Sequence, residues 1–378
     1  MKWTSVFPVV VCGVLSAAPA HAALSVLRVT MTDLGTLGGS FSEASDVNDA
    51  GTIVGFSADS LGAWHGFYDI ADVMYFVTMP WPSASVAAGI NNHGDIVGTW
   101  RDGTGDHAYL WRSGVVTPLD EGVPFYLTTE SSGKAIADNF RIVGQIHYPH
   151  PRLLGFSASN MWLTPVSHFH LYPPAVLKEF ASIVEDVDEL GRAAVYDVRL
   201  EKSYVVNHFG PASSTYVSVA DPPPIAGYDF RIGRALGLHE NNGVVGYGHY
   251  ELPSGASYLW RAYYWNTTSP TAMNLPMLPG TRHSVADDIN GEDLIVGWSE
   301  IEVYSPTVVA RYDTAFIYHP DFGMYALPMG SFRDCHARAL NERNGEGVAS
   351  VVGWCEGPRG RRAVRWNVRI KGSPSAFL

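Results

Sequence analysis

Short apolar alternations and aliphatic pairs recur along this chain at nearly even spacing. Each pair is closed by glycine and separated from the preceding alternation by a polar turn. The pattern reads Ala44-Ser-Asp-Val47-Asn48-Asp-Ala-Gly51-Thr-Ile53-Val54-Gly55 and returns as Ala87-Ala-Gly-Ile90-Asn91-Asn-His-Gly94-Asp-Ile96-Val97-Gly98. Weaker copies close at Ile142-Val143-Gly144, Val244-Val245-Gly246, Ile295-Val296-Gly297 and Val351-Val352-Gly353, and a decayed one runs from Val187 to Val195. Successive closing positions lie 43, 46, 51, 51, 51 and 56 residues apart, which leaves no insert large enough for a second domain. After each pair come a variable stretch and an aromatic segment of period two, as in His65-Gly-Phe67-Tyr68, His107-Ala-Tyr109-Leu-Trp111 and Ser257-Tyr258-Leu-Trp260. Period-two apolarity around turns rich in Asn, Asp and Gly predicts β-hairpins, because those residues tolerate the positive φ that tight hairpin turns require.

Four short strands repeating at this period predict an all-β fold, a β-propeller of seven four-stranded blades. The segment from Leu27 to Leu37 matches those that close other units, such as Met273 to Gly280 and Met324 to Gly330, whereas the last unit stops after a third strand near Val368. The N-terminal strand is therefore expected to complete the C-terminal blade, closing the ring and removing two free sheet edges. An open β-solenoid is the competing architecture and would need no complementary ends. Ala137 stands where the third unit should carry Asn, and Val195 where the fourth should carry Gly, so six blades is the alternative count. One segment, Ala175 to Val187, carries a helix-like pattern.

Repeat architectures grow by adding neighbours, so 378 residues need only one domain. Charged residues are only 16% and aromatics 12%, a balance that suits stacked sheets with apolar faces and excludes disorder. Residues 1–22 have the charged start, apolar stretch and small-residue exit of a secretory signal, with cleavage after Ala22. That divides the chain into a signal (1–22), one propeller domain (23–370) and a C-terminal tail (371–378), and places the protein in the periplasm or outside the cell. No later apolar run is long enough for a membrane-spanning helix. The formal charge is −12, and losing Lys2 with the signal makes the chain more acidic still, which disfavours nucleic acid as a partner. The basic run Arg359, Arg361, Arg362, Arg365, Arg369 and Lys371 reads as a solvated strand. With Cys12 gone, Cys335 and Cys355 remain, both in the last unit. An oxidising compartment predicts a disulfide between them, worth about 3 kcal/mol in the loop-entropy model.

Asp33-Leu-Gly-Thr-Leu-Gly-Gly39, the Ile-Asn-x-x-Gly-x-Ile-Val-Gly phrase and His107-Ala-Tyr-Leu-Trp111 together resemble the HAF-type extracellular repeats of bacterial secreted proteins. The resemblance covers roughly residues 27 to 368 and is strongest in the first two units. It implies secretion and a repeat fold, and no particular activity.

Candidate chemistry is sparse. Asn48, Asn91 and Asn290 read as turn residues bonding the hairpin backbone, and His65 and His107 as inter-blade hydrogen-bond partners. Asp46 to Gly51 lacks the fifth- and twelfth-position ligands of a calcium loop. The acids Glu185, Asp186, Asp188 and Glu189 read as a solvated edge, and His147 and His150 as loop residues, so no metal and no cofactor is expected. Asn266-Thr-Thr268 matches a glycosylation acceptor that a bacterial source would leave unused. No nucleophile elbow or phosphate-binding loop is present. If the Asn-Gly turns join the first two strands of each blade, the variable loops gather on the opposite face, where recognition usually resides. That face nominates Trp81, Trp100, Arg101, Tyr228, Asp229, Arg282, His283, Arg333 and Asp334 as ligand-binding residues. The leading expectation is a monomeric binding module for a glycan or protein. An enzyme acting on an extracellular polysaccharide, using Glu43, Asp229 and Asp334, is the alternative, and a purely structural envelope component is a third.

Overall fold

The computed structural model describes residues 23–80, 83–120, 130–149, 156–163, 182–207, 215–304 and 309–373. Blade 1 is the antiparallel sheet β2 (Gly38–Val47), β3 (Ile53–Asp59), β4 (Trp64–Ile70) and β5 (Val73–Phe76). Blade 2 is β6 (Ala84–Ile90), β7 (Ile96–Arg101), β8 (Asp106–Arg112) and β9 (Val115–Pro118), and blade 3 shows β10 (Glu130–Ile136), β11 (Ile142–Pro149) and β12 (Phe156–Leu163). Blade 4 is β13 (Ser182–Val187), β14 (Arg192–Asp197), β15 (Lys202–Asn207) and β16 (Thr215–Ser218). Blade 5 is β17 (Asp229–Leu238), β18 (Gly243–Glu251), β19 (Tyr258–Asn266) and β20 (Met273–Asn274), and blade 6 is β21 (Thr281–Ile289), β22 (Ile295–Tyr304), β23 (Val309–His319) and β24 (Gly323–Ala326). Blade 7 takes β25 (Asp334–Leu340), β26 (Val348–Gly357) and β27 (Gly360–Lys371) from the end of the chain and β1 (Ser25–Gly35) from its start.

The molecule is a seven-bladed β-propeller closed by its own N-terminal strand. β1 runs antiparallel to β27 from Ser25↔Lys371 to Gly35↔Ala363. Packing shows the closure independently of that pairing. Seven buried clusters each bridge two neighbouring blades, and one of them joins Leu34, Val47, Ile53 and Phe67 of the N-terminal region to Ala339, Val352 and Ala363 of blade 7. A solenoid would leave its end units without that shared core. Two segments depart from expectation or lie beyond view. The described part of the helix-like segment is strand β13, since its apolar residues Val184 and Val187 fill the core between blades 3 and 4. Residues 1–22, Trp81 and His150 lie outside the described residues, as does the side chain of His147.

The Asn residues of the repeat do more than hold their own turns. Asn48 Oδ1 accepts the Thr52 N–H within its hairpin, while its Nδ2 donates to the carbonyl of Asn91 in the next blade at 3.0 Å. The same link runs from Asn290 to Asn341 and from Asn341 to Asn48, each at 3.0 Å, the second sealing the ring between the last blade and the first. In decayed units other residues take over: Asn139 reaches Glu189 O at 2.6 Å, and Arg192 reaches His239 O at 2.9 Å. The glycine slot of the turn is also negotiable. Gly51 and Gly94 take φ of 79° and 81°, but blade 3 places Phe140 there at φ 64°, with its ring stacked on His93 at 4.7 Å. Asn341→Ala should therefore remove the sealing bond and leave the Ser350 N–H without its acceptor. We expect a loss of about 2 kcal/mol, read as a lower denaturant midpoint at unchanged slope.

Cys335 and Cys355 are directly opposite each other on β25 and β26, with Cα atoms 4.1 Å apart, and are joined in a disulfide. The bond lies wholly buried in the blade that closes the ring. Among the described residues no helix is long and apolar enough to cross a membrane.

Candidate functional site

The first strand of every blade lines the axis, and each contains a β-bulge at the same place. In blade 1, Ala44 pairs with Gly55 and Asp46 with Val54, leaving Ser45 unopposed. The corresponding unopposed residues are Ala88, Lys134, Glu185, Leu236, Asp287 and Arg338. The closing glycine of the repeat sits opposite this bulge, where the strands approach too closely for a side chain. A Cβ on Gly55 would lie 2.0 Å from the Glu43 carbonyl oxygen, and one on Gly297 equally close to that of Val285. Bulges turn side chains aside from the ladder and are common beside functional sites. Here all seven unopposed residues line one axial cavity of about 490 Å³, together with Glu43, Phe56, Arg234 and Tyr247.

The charges in this ring are matched in pairs. Arg338 donates to Asp287 at 2.9 Å, Lys134 stands 3.6 Å from Glu185, and Arg234 Nε donates to Glu185 at 3.0 Å while its guanidinium covers the Tyr196 ring. The two acids are largely buried, whereas about half of each of the Lys134 and Arg338 side chains stays open to the cavity. Above the ring, Glu43 pairs with Arg361, which lies over the Trp354 ring at 3.9 Å. Below it, Asp46, Asp186 and Asp288 each accept the N–H of a residue in the next blade, at 2.9, 3.0 and 3.0 Å. Burial pushes Asp46 up to about 6 and raises Asp186 and Asp288 too, with the Asp46 charge adding to both and that of Asp186 to Asp288.

Asp186 and Asp288 also border a second cavity of about 520 Å³ that opens on the turn face, so the two cavities are halves of one axial channel. The turn-face half carries Asp49, Asp138, Glu189, Glu240 and Glu342 and no lysine or arginine. Among the described residues no three potential ligands are grouped closely enough to hold a metal ion. A third cavity, about 350 Å³, lies on the loop-face side and shares Arg234 and Tyr247 with the channel.

Of the nominated residues that the structure describes, only Glu43 faces the channel. Asp229 and Asp334 do not join it. Asp229 flanks Arg231 with Glu251, and Asp334 binds Arg333 at 2.7 Å and the Asp313 N–H at 3.1 Å. Tyr228 immediately precedes β17. Arg101 forms a two-pronged pair with Asp106 across its own hairpin, and Trp100 is buried against His107. Arg282 pairs with Glu302 at 3.2 Å. His283 accepts the Trp260 N–H through Nδ1, and burial pushes it down to about 4, which keeps the ring neutral as that bond demands. These side chains secure hairpins and loops.

Two further expectations are corrected. His65 binds Asp59 of its own hairpin at 3.1 Å and so clamps local chain, whereas His107 does serve the join between blades, since the Asp120 oxygen it meets at 2.8 Å also accepts from Ser131 of β10 at 2.8 Å. Thr104, His107 and Asp120 have the spacing of a nucleophile, base and orienting acid. The Thr104 hydroxyl, however, also lies 2.6 Å from Asp102, so Thr104, His107 and the two acids form one hydrogen-bonded clamp on the loop between β7 and β8. The segment Glu185 to Asp188 is no solvated edge: Glu185 and Asp186 face the channel, and Asp188 is buried in a pair with Arg192. Within the basic run Arg361 pairs with Glu43 and Arg365 with Asp72, while Arg369 meets Glu346 at the solvated surface.

The channel residues do have a sequence signal. Each bulge residue stands three positions before the Asn slot of the repeat, and the residue after the closing position is aromatic in five units: Phe56, Tyr196, Tyr247, Trp298 and Trp354.

No protein-family model and no curated protein matches this chain. Among solved structures it is similar to a candidate gluconolactonase (10% identity, TM-score 0.41, covering 92% of this chain and 94% of that one). It is also similar to a polysaccharide lyase (9%, TM-score 0.41, 94% and 90%) and to Trypanosoma rangeli sialidase (10%, TM-score 0.37, 91% of this chain but only 59% of that one). Likeness at this level concerns the fold alone.

Proposed function

We propose that this propeller is an extracytoplasmic binding module whose ligand is a saccharide seated in the loop-face mouth of the axial channel. The observation that carries the reading is the bulge ring. It presents donors (Lys134, Arg338, Ser45) and acceptors (Glu185, Asp287) around one cavity, with the charges already balanced against each other. A ligand rich in hydroxyls, each both donor and acceptor, satisfies such a ring without bringing net charge. Phe56 and Tyr247 add apolar surface at the rim, and a small set of placed polar groups on apolar walls is how small-molecule sites are usually built. A purely structural role would require no such cavity. The signal-like N-terminus, the buried disulfide and the resemblance to HAF-type repeats support a location outside the cytoplasm.

The test is a glycan array followed by calorimetry on the mature chain. Lys134→Ala and Arg338→Ala should each weaken binding about tenfold, the equivalent of one charge-assisted hydrogen bond. Failure to bind any glycan, or unaltered affinity in the double variant, would refute the proposal.

A second reading, an enzyme acting on polysaccharide, is favoured by one observation. Raised carboxylates Asp186 and Asp288 lie just beneath ion-paired Glu185 and Glu43, which is how acid and base roles are separated within one site. It expects release of new chain ends from a bound polymer, abolished by Asp288→Asn while binding persists.

A further inference from the structure

Resting on the saccharide reading, we infer that a second, aromatic subsite continues the channel outward over blade 5, so that the ligand is an oligosaccharide lying across both. The hairpin β18–β19 carries nine residues in each strand, against six and seven in β7 and β8 of blade 2. Its extra length carries one face of the hairpin beyond the packed core. Cross-strand pairs His249↔Trp260 and Glu251↔Tyr258 put those four side chains on that face, with Tyr247 beside them.

These residues wall the 350 Å³ cavity. Tyr258 is 48% exposed although it is a large aromatic on a regular strand. Trp260 is held in orientation by edge-on contacts with His283 at 5.5 Å and Trp298 at 6.1 Å. Fixed aromatic faces carry negative charge density, and the C–H face of a pyranose presents weakly positive hydrogens to such a surface. Arg234 and Tyr247 border this cavity and the channel alike, so the two sites are adjacent and within reach of one extended ligand. An extended peptide would bind best along a free strand edge. Here β18 is paired on both sides, to β17 and β19, and on β19 the outward N–H groups of Trp260 and Ala262 are taken by His283 Nδ1 and Ser284 Oγ of blade 6, so the hairpin offers a ligand its face.

The experiment is calorimetry with cello-, xylo- and chito-oligosaccharides from monomer to hexamer. Affinity of the wild-type chain should rise with length and then level off. Tyr258→Ala and Trp260→Ala should each remove about tenfold from hexamer affinity, the scale of one aromatic contact, and leave the monosaccharide unchanged. Melting temperatures control for folding, and exposed Tyr258 provides the variant least coupled to the core. Equal affinity for monomer and hexamer in the wild type, or wild-type hexamer binding by both variants, would overturn the subsite. Hexamer binding lost in Trp260→Ala but unaltered in a Lys134→Ala/Arg338→Ala double variant would instead keep the groove and remove the channel reading.

Discussion

A chain beginning at residue 36, lacking β1, should fail to reach the folded state of the full propeller. Leu24, at 2% exposure, and Leu34, at 8%, leave the core with that segment, and Val29 and Met31 no longer cover Trp366, Val368 and Ile370. Four such side chains contribute on the order of 6 kcal/mol, as much as the whole stability of many domains, before the β1–β27 ladder and the Leu24 N–H bond to Asp321 are added. What remains is a bare β27 edge with a hydrophobic face, an invitation to aggregate. The measurement is gel filtration with near-ultraviolet dichroism of the truncated chain. A synthetic peptide of residues 23–37, added in trans, should restore native signal by re-pairing with β27. A truncated chain that stays monomeric and melts within a few degrees of full length would show that closure matters little.

Raising the pH from 5 to 8 should lower the melting temperature, contrary to the usual behaviour of proteins stabilised by salt-bridged acids. In the folded state Asp46 and Asp293 titrate near 6 and Glu189 near 7, and Asp186 and Asp288 are also raised, in each case chiefly by burial. Their unfolded values lie near 4. Between those values the folded chain holds more protons than the unfolded one, so stability is fully present below the unfolded value and is lost as pH climbs through the folded values. His283, depressed to about 4, has the opposite sign, as do His239 and His319, which burial also lowers, but the raised carboxylates outnumber them and further include Asp287, Glu300 and Glu342. Water in the channel screens the carboxylates, so each contributes on the order of 1 kcal/mol. The combined shift should be roughly 5 to 10 °C. Asp186→Asn and Asp288→Asn should flatten the profile, whatever they do to stability at pH 5. A melting temperature that is level or rises across this range would contradict the assignment.

How much of this was legible beforehand differs between scaffold and site. Asn48 was readable as a turn residue, because the turn lies within a few positions of it. Its bond to Asn91 O was not, since it joins residues 43 apart that only ring geometry makes neighbours. The same distance hid the channel. Lys134, Glu185, Asp287 and Arg338 sit on four different blades at positions that look like ordinary strand residues, and period-two reasoning would assign them to one face of a regular ladder. The bulge breaks that alternation, and its marks in the sequence are slight: a fixed place three positions before the Asn slot and a glycine across the ladder, which opposite Glu185 is replaced by Val195. Conversely, Arg101, Asp334 and Arg333 looked like free recognition groups because their partners, Asp106 for the first and each other for the next two, are close in sequence but face one another only once the hairpin or strand has formed.

By itself the sequence determined an all-β repeat fold, the order of strands within each unit, two ends complementary enough to share a sheet, and a pair of cysteines in the last unit placed to form a disulfide. The fold and strand order follow from a short period of apolar residues and turns, because that period is local; the pairing of β1 with β27 and the core shared by the first and last blades are what fixed seven blades in a closed ring. Only the tertiary structure decided which side chains meet on the axis. Seven small bulges, each a local slip of one residue, turn seven unlike side chains toward a common centre, and their chemistry as a set exists only when the ring is closed.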